Sequence, residues 1–253
     1  MVISKAKIKL IRSLEQKKQR NTHQLFVAEG PKLVDELMGY FECEIIAATI
    51  DWLKTHSNYQ ASEVYEVNDI ELKKISSLRS PQQVVAIFKK PEFQFNPAVL
   101  QQELCIALDG VQDPGNLGTI IRLADWFGVK QIFCSSDTVD VFNTKTIQAS
   151  MGGIARVQVH YTSLVDLIKN SPNTPIYGTF LEGDNLYEKE LKPNGLIIMG
   201  NEGNGISNEL KSLVTDQLYI PNYPLDRDSA ESLNVAIATA IVCSEFRRQA
   251  LLK

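Results

Sequence analysis

Read for apolar and polar alternation, the chain changes character near residue 100. In its first part, short apolar runs at 24–29, 44–49, 64–67 and 84–88 predict strands. They are interleaved with helical segments, one opened by Gly30-Pro31 and running through Met38 with proline in the first turn. That pattern predicts a small α/β layer of about 90 residues. From Gln102 onward strands and helices alternate: 104–108, a helix at 117–127, 131–134, a helix near 142–149, 156–160, a helix to Lys169, 176–180, 196–199, a helix near 206–213, 218–220 and a long closing helix. This alternation predicts a mainly parallel sheet covered on both faces. The expected organisation is therefore two domains, 1–90 and 102–253. Between them lies a linker at 91–101, where Pro91 and Pro97 stand in a stretch without periodicity.

The stretch from Asp109 to Arg122 organises the second domain. An apolar strand ends in the Gly/Pro loop Asp113-Pro114-Gly115-Asn116, which reverses the chain and caps a helix. Ile120, Leu123, Ala124 and Phe127 recur at helical spacing as the buried face and leave Arg122 and Asp125 on the other side. Two more polar loops stand at strand ends, Gly200-Asn-Glu-Gly-Asn-Gly205 and 221–234. None has the Gly-Lys-Ser/Thr ending of a phosphate-cradling loop or the Gly-x-Gly-x-x-Gly order of a dinucleotide fold. Open α/β sheets keep their ligands at such carboxyl ends. The closing helix, Leu233 to Cys243, is apolar almost all the way round and predicts burial on two sides, the second against a further element or a second subunit.

Composition adds limits. The chain has 253 residues, 44% hydrophobic and 22% charged, with a formal net charge of −4. Such a balance excludes a protein that coats nucleic acid, DNA included, by bulk electrostatics. Charge is nevertheless uneven. Lys5, Lys7, Lys9, Arg12, Lys17, Lys18, Arg20 and His23 stand against the single acid Glu15, a patch that could grip phosphates or be the solvated side of an amphipathic helix striped by Ile8, Ile11 and Leu14. No run has the length of a membrane span and the start lacks a signal peptide's apolar core, so a cytoplasmic protein is expected. Cys43, Cys105, Cys134 and Cys243 stand far apart and predict buried free thiols, not a metal site or disulfides. His56 and His160 have no partner at useful spacing.

Taken together, Asn116-Leu-Gly-x-x-x-Arg122, Ile197-Ile-Met-Gly-Asn-Glu-Gly-x-Gly-Ile206, and Ile220-Pro221 followed by Ser232-Leu-Asn-Val235 resemble, in order and spacing, the three motifs of the SpoU (TrmH-like) RNA ribose methyltransferases of the SPOUT class. The likeness covers Leu104 to Glu245, and the amino-terminal part, with Phe26-Val-Ala-Glu-Gly30, is similar to the small RNA-binding domain that precedes the catalytic domain in many members. The resemblance implies a parallel sheet whose carboxyl-terminal segment forms a deep trefoil knot, where general topological rules alone would choose an unknotted sheet. It implies S-adenosylmethionine as methyl donor, with Gly200, Ile220 and Leu233 as contacts and Thr179 as a further one. It implies Arg122, Asn116, Glu202, Ser232 and Asn234 as the catalytic set and methyl transfer to a ribose 2′-hydroxyl, while the apolar closing helix points to a homodimer joined through the second domain.

In that family the arginine has been proposed as the base. A guanidinium is a poor proton acceptor, so Arg122 reads first as a clamp for phosphate or a developing alkoxide. Taken without the motifs, Arg122 would pair with Asp125 and Glu202 would be a helix-start acid. The segment 222–231 is longer and more charged than the family's, and Arg227 in it would contact phosphate or pair with Asp226 or Asp228. The two-domain architecture points to rRNA over tRNA as substrate. The competing readings are a noncatalytic RNA-binding or ribosome-assembly protein on the same fold, and a nucleotide enzyme with a Rossmann-like sheet. The polar motif residues speak against the first and the missing glycine fingerprint against the second.

Overall fold

The computed structural model describes residues 2–224 and 232–252, so Arg227 and its neighbours lie outside the described residues. In chain order the elements are α1 (Lys5–Ser13), α2 (Lys17–His23), β1 (Leu25–Glu29), α3 (Pro31–Met38), β2 (Cys43–Ala48), α4 (Ile50–Thr55), β3 (Glu63–Glu66), α5 (Asp69–Ile75), β4 (Val84–Lys89), α6 (Val99–Gln102), β5 (Leu104–Leu108) and α7 (Pro114–Trp126). There follow β6 (Gln131–Cys134), α8 (Thr144–Ser150), a 3-10 turn at Gly153–Ala155, β7 (Gln158–Tyr161), α9 (Leu164–Lys169), β8 (Ile176–Phe180), β9 (Asp184–Asn185), β10 (Gly195–Met199), α10 (Asn208–Lys211), β11 (Asp216–Tyr219) and α11 (Val235–Leu251). The chain divides into two compact units, Met1–Glu92 with Asp140–Ala155, and Phe93–Val139 with Arg156–Lys253.

The first unit is built on a four-stranded sheet ordered β1-β4-β2-β3, in which β4 runs antiparallel to both neighbours and β2 parallel to β3. Ile11 and Leu14 from the amino terminus pack with Val27, Ile45, Tyr65, Leu72 and Ile87 on one side of it. The basic amino-terminal run breaks into two helices. Part of its charge is internal: Arg20 is 1% exposed, and its Nε and Nη2 donate to Asp140 Oδ2 at 3.0 and 2.5 Å while Nη1 donates to the carbonyls of Leu14 and Glu15. Lys7 pairs with Glu63, and Arg12 donates to the Ser76 carbonyl.

Asp140 is one of the residues that the strand and helix pattern placed with the second domain but that pack in the first. Phe142 sets its ring 5.0 Å from that of Phe26, and α8 lies against β1. The reason is long-range burial of an ion pair and two aromatic rings, which no local periodicity encodes.

The second unit carries a seven-stranded sheet, β7-β6-β5-β10-β8-β11-β9, parallel at every described pairing. Its central strands β5 and β10 are buried at every position, which is why each reads as an unbroken apolar run. From β5 the chain moves outward through β6 and β7, then crosses to β8 on the far side of β10. The direction of winding thus reverses between β5 and β10, and open α/β sheets keep their ligands outside the carboxyl ends of the strands at such a point.

Helix α7 starts where Asp113 caps it, accepting from the Asn116 N–H at 2.8 Å, with Pro114 in the first turn. It packs on α11. The expectation that α11 is buried on two sides is not met within one chain: Val235, Thr239, Val242, Cys243 and Phe246 are buried, but Ile237 is 54% exposed. On that open side Phe127, Tyr187, Ala240, Ile241, Ser244 and Glu245 line a shallow cavity of about 440 Å³. The four cysteines are buried free thiols, those of Cys43, Cys105 and Cys243 pushed up by burial to about 12. No helix among the described residues is long and apolar enough to cross a membrane.

Candidate active site

The site is assembled by the carboxyl ends of four adjacent parallel strands, β5, β10, β8 and β11. Register fixes it: Met199 lies opposite Leu108, Ile198 opposite Gly178, and Tyr219 opposite Phe180. Thr179, Gly200 and Ile220 therefore stand at the ends of three neighbouring strands. Gly200 is required by close backbone approach: a Cβ there would sit 2.3 Å from the Gly205 carbonyl carbon and 2.5 Å from the Ile206 nitrogen. Thr179 donates its hydroxyl to the Ile198 carbonyl at 3.1 Å, so its side-chain proton is engaged within the sheet. Ile220 is half-buried, and Leu233 is 50% exposed.

Three polar residues distant in sequence form one hydrogen-bonded chain. Asn234 Nδ2 donates to Asn116 Oδ1 at 3.0 Å, and Asn116 Nδ2 donates to Glu202 Oε1 at 2.7 Å. Asn234 is itself held, because its Oδ1 caps α11 by accepting from the Ala236 and Ile237 N–H groups. Each amide is thus locked in orientation, and Glu202 Oε2 has no partner among the described residues. Ser232 is exposed beside this chain in sequence, and no hydrogen bond joins it to the others among the described residues.

Arg122 is placed differently. It lies six residues along α7 from Asn116, about 120° further round the axis, and is exposed with no ion pair or hydrogen bond among the described residues. The pairing with Asp125 does not form. Asp125 is held by Arg156, whose Nε and Nη2 reach its carboxylate at 2.9 Å each. Among the described residues Arg122 is a cation without a partner.

Two organising residues escaped the sequence reading. Asn201 ties the second loop to the first: its Nδ2 donates to the Gly110 carbonyl at 2.6 Å, while its Oδ1 accepts from the Gly203 and Asn204 N–H groups at 2.9 and 3.0 Å. Its backbone also exchanges two hydrogen bonds with Gly205. Asp109 Oδ2 accepts from the Ser207 N–H at 2.7 Å and fixes the exit of the same loop. The signal for both was their position at a strand end, where a short polar side chain can bond the neighbouring backbone.

Residues 103–244 match the SpoU rRNA Methylase family, and residues 5–86 match the MRM3-like substrate binding domain. The chain belongs to the SpoU rRNA Methylase family. It is 32% identical over 249 residues to the 23S rRNA (guanosine(2553)-2′-O)-methyltransferase of Bacillus subtilis, covering 95% of this chain and 96% of that protein. Among solved structures it is similar to one from Porphyromonas gingivalis assigned to the TrmH family of RNA methyltransferases, at 42% identity and a TM-score of 0.89, covering 98% of this chain and 100% of that one. An AdoMet-bound rRNA methyltransferase from Sinorhizobium meliloti matches at 32% identity and a TM-score of 0.84, over 98% and 97% of the two chains. The fold expected from the resemblance, a small amino-terminal α/β domain ahead of a mainly parallel SPOUT sheet, is the one observed.

Proposed function

We infer that this SpoU family member transfers a methyl group from S-adenosylmethionine to a ribose 2′-hydroxyl of RNA, with rRNA as the substrate. The observation that carries this reading is the hydrogen-bonded chain Asn234–Asn116–Glu202, which draws three segments to the ends of strands whose backbone surrounds Gly200. The residues present suit the donor: loops of glycine and short apolar side chains at Thr179, Gly200, Ile220 and Leu233 would hold it mainly through backbone groups. The threading of the carboxyl-terminal segment as a trefoil knot belongs to the same reading and is supported by the insertion of β10 between β5 and β8.

Bound there, S-adenosylmethionine supplies a methyl group on a sulfonium that leaves as a neutral thioether. The protein's own share is to align the ribose oxygen and to receive its proton. Asp113 and Asp109 are engaged as caps of backbone N–H groups, so Glu202, with one carboxylate oxygen open, is assigned the proton, and Asn116 fixes its orientation. Arg122, a rigid fork of N–H donors, clamps the substrate phosphate or the developing alkoxide. Because it has no partner among the described residues, it is assigned to a site completed by a second copy. The open side of α11, with Ile237, Ile241 and the neighbouring Trp126 (84% exposed), is the apolar face for that homodimer.

The test is incubation of the purified protein with radiolabelled S-adenosylmethionine and undermodified ribosomal RNA, followed by alkaline hydrolysis. Label should persist in one alkali-resistant dinucleotide. Label on a base would refute the ribose assignment, and no label on any RNA would favour a noncatalytic RNA-binding protein.

A further inference from the structure

We propose that the end of the first unit's sheet where β1 and β2 finish and β4 begins, centred on the loop from Ser76 to Gln83, is the surface that grips the phosphate backbone of the RNA. This rests on the reading of the protein as an RNA methyltransferase and says which face of the amino-terminal unit meets the substrate.

The starting observation is a buried carboxylate used to hold a surface loop. Glu29, the last residue of β1, is 4% exposed. It accepts from the Ser76 hydroxyl, from the Ser77 N–H at 3.0 Å and from the Ser77 hydroxyl at 2.5 Å. Arg12 adds a hydrogen bond of 2.8 Å to the Ser76 carbonyl. An ionised carboxylate is costly to bury unless fully bonded, and here its bonds go to a loop and not to the core. The far end of the loop is fixed as well. Gln83 is held at φ 46°, a region that non-glycine residues seldom adopt, and its carbonyl accepts from the Thr49 N–H at 2.8 Å.

Between these anchors Arg79, Ser80, Gln82 and Gln83 are exposed. Arg79 has no partner among the described residues, and neither do Lys73 and Lys74 in the last turn of α5 or Lys32 in the first turn of α3, which begins at the same sheet end. Acids at this end are Asp51 in the first turn of α4, and Glu66, Asp69 and Glu71 where β3 passes into α5, Glu71 being used in a capping box. The basic run at the amino terminus, by contrast, has Lys7, Arg12 and Arg20 engaged internally. A pre-fixed loop offering a fork-shaped cation, hydroxyl and amide groups beside three lysines suits a polyanion with hydrogen-bonding sugars, which is RNA backbone.

Full-length Lys32→Ala/Lys74→Ala/Arg79→Ala should bind undermodified rRNA at least tenfold more weakly. The dependence of log affinity on log salt should lose about 2 from its slope, while kcat at saturating RNA and affinity for S-adenosylmethionine stay at wild-type values. Gln82→Cys carrying a photoreactive aryl azide should cross-link to bound RNA, and the same probe on Tyr40→Cys, at the opposite end of α3, should not. Unchanged RNA affinity and slope with an active wild type would overturn the surface and leave the methyltransferase reading intact. Intact affinity for naked RNA with loss only on ribosomal particles would also overturn it, in favour of a protein contact. A wild type that neither binds nor methylates RNA would overturn both.

Discussion

Two arginines, one in each unit, look equivalent in sequence and are opposite in structure. Arg20 comes from a dense basic run and is 1% exposed, with every guanidinium nitrogen bonded. Arg122 stands on the polar side of an ordinary helix, exposed, and no group among the described residues uses it. Local density of positive charge therefore says little about which cation meets a substrate. What distinguishes them is whether the fold supplies an acceptor, and for Arg20 it does so through Asp140, 120 residues away.

The strongest way to break this contrast is to remove Arg20. Arg20→Ala leaves the Asp140 carboxylate, 9% exposed on its side chain, without its counter-ion. Truncating one partner of a buried pair costs about 3–5 kcal/mol, so chemical denaturation should show a loss of that size. Arg20→Met with Asp140→Leu, which removes both charges, should recover most of it. If the single variant unfolds at the wild-type denaturant concentration, the pair is not structural and the basic patch regains its claim on phosphate.

Arg122→Ala should do the reverse. With nothing among the described residues bonded to Arg122, the variant should keep the wild-type melting temperature and its affinity for S-adenosylmethionine. Loss of one group that stabilises transition-state charge costs about 10²–10³ in kcat, and single-turnover transfer should fall by that factor. A melting temperature that drops in step with activity would make Arg122 structural. Adding Arg122→Ala protomers to excess Asn116→Ala protomers sharpens the point. If the site takes its arginine from a second copy, mixed dimers recover one working site, whereas independent chains recover none.

The same distinction explains what could be read in advance. β5, β6 and β8 lie where their apolar runs put them, because most of their positions are buried, all five of them in β5. The motif residues could be named from order and spacing, but not that Asn234 would bond Asn116 and Asn116 bond Glu202, since those contacts bridge 118 and 86 residues. Asn201 could not be named as the tie between loops, because its partner is a backbone carbonyl, which every residue has. The segment 140–155 was misplaced for a related reason: Asp140 and Phe142 follow the rhythm of the second unit while their partners Arg20 and Phe26 belong to the first. The uncovered side of α11 was legible as an excess of apolar residues, though not as a face left open in the single chain.

The smallest effect concerns a buried ionisable group in the second unit, one without a counter-ion among the described residues. His160 is 6% exposed, its ring 5.3 Å from Phe133 and 5.0 Å from Phe95, with Nε2 2.6 Å from Gln131 Oε1. Burial among aromatic rings disfavours the imidazolium and lowers its pKa below the ordinary value near 6.5. The unfolded chain then binds a proton more readily than the folded one, so this residue's contribution to stability is complete above pH 6.5 and is lost as the pH falls below it. Stability of the wild type between pH 7 and 5 should decline more steeply than that of His160→Gln, which keeps a hydrogen-bonding side chain and cannot titrate. Equal slopes for the two proteins would mean that His160 takes up its proton at the same pH in the folded and the unfolded chain, so that its burial among the rings does not disfavour the imidazolium.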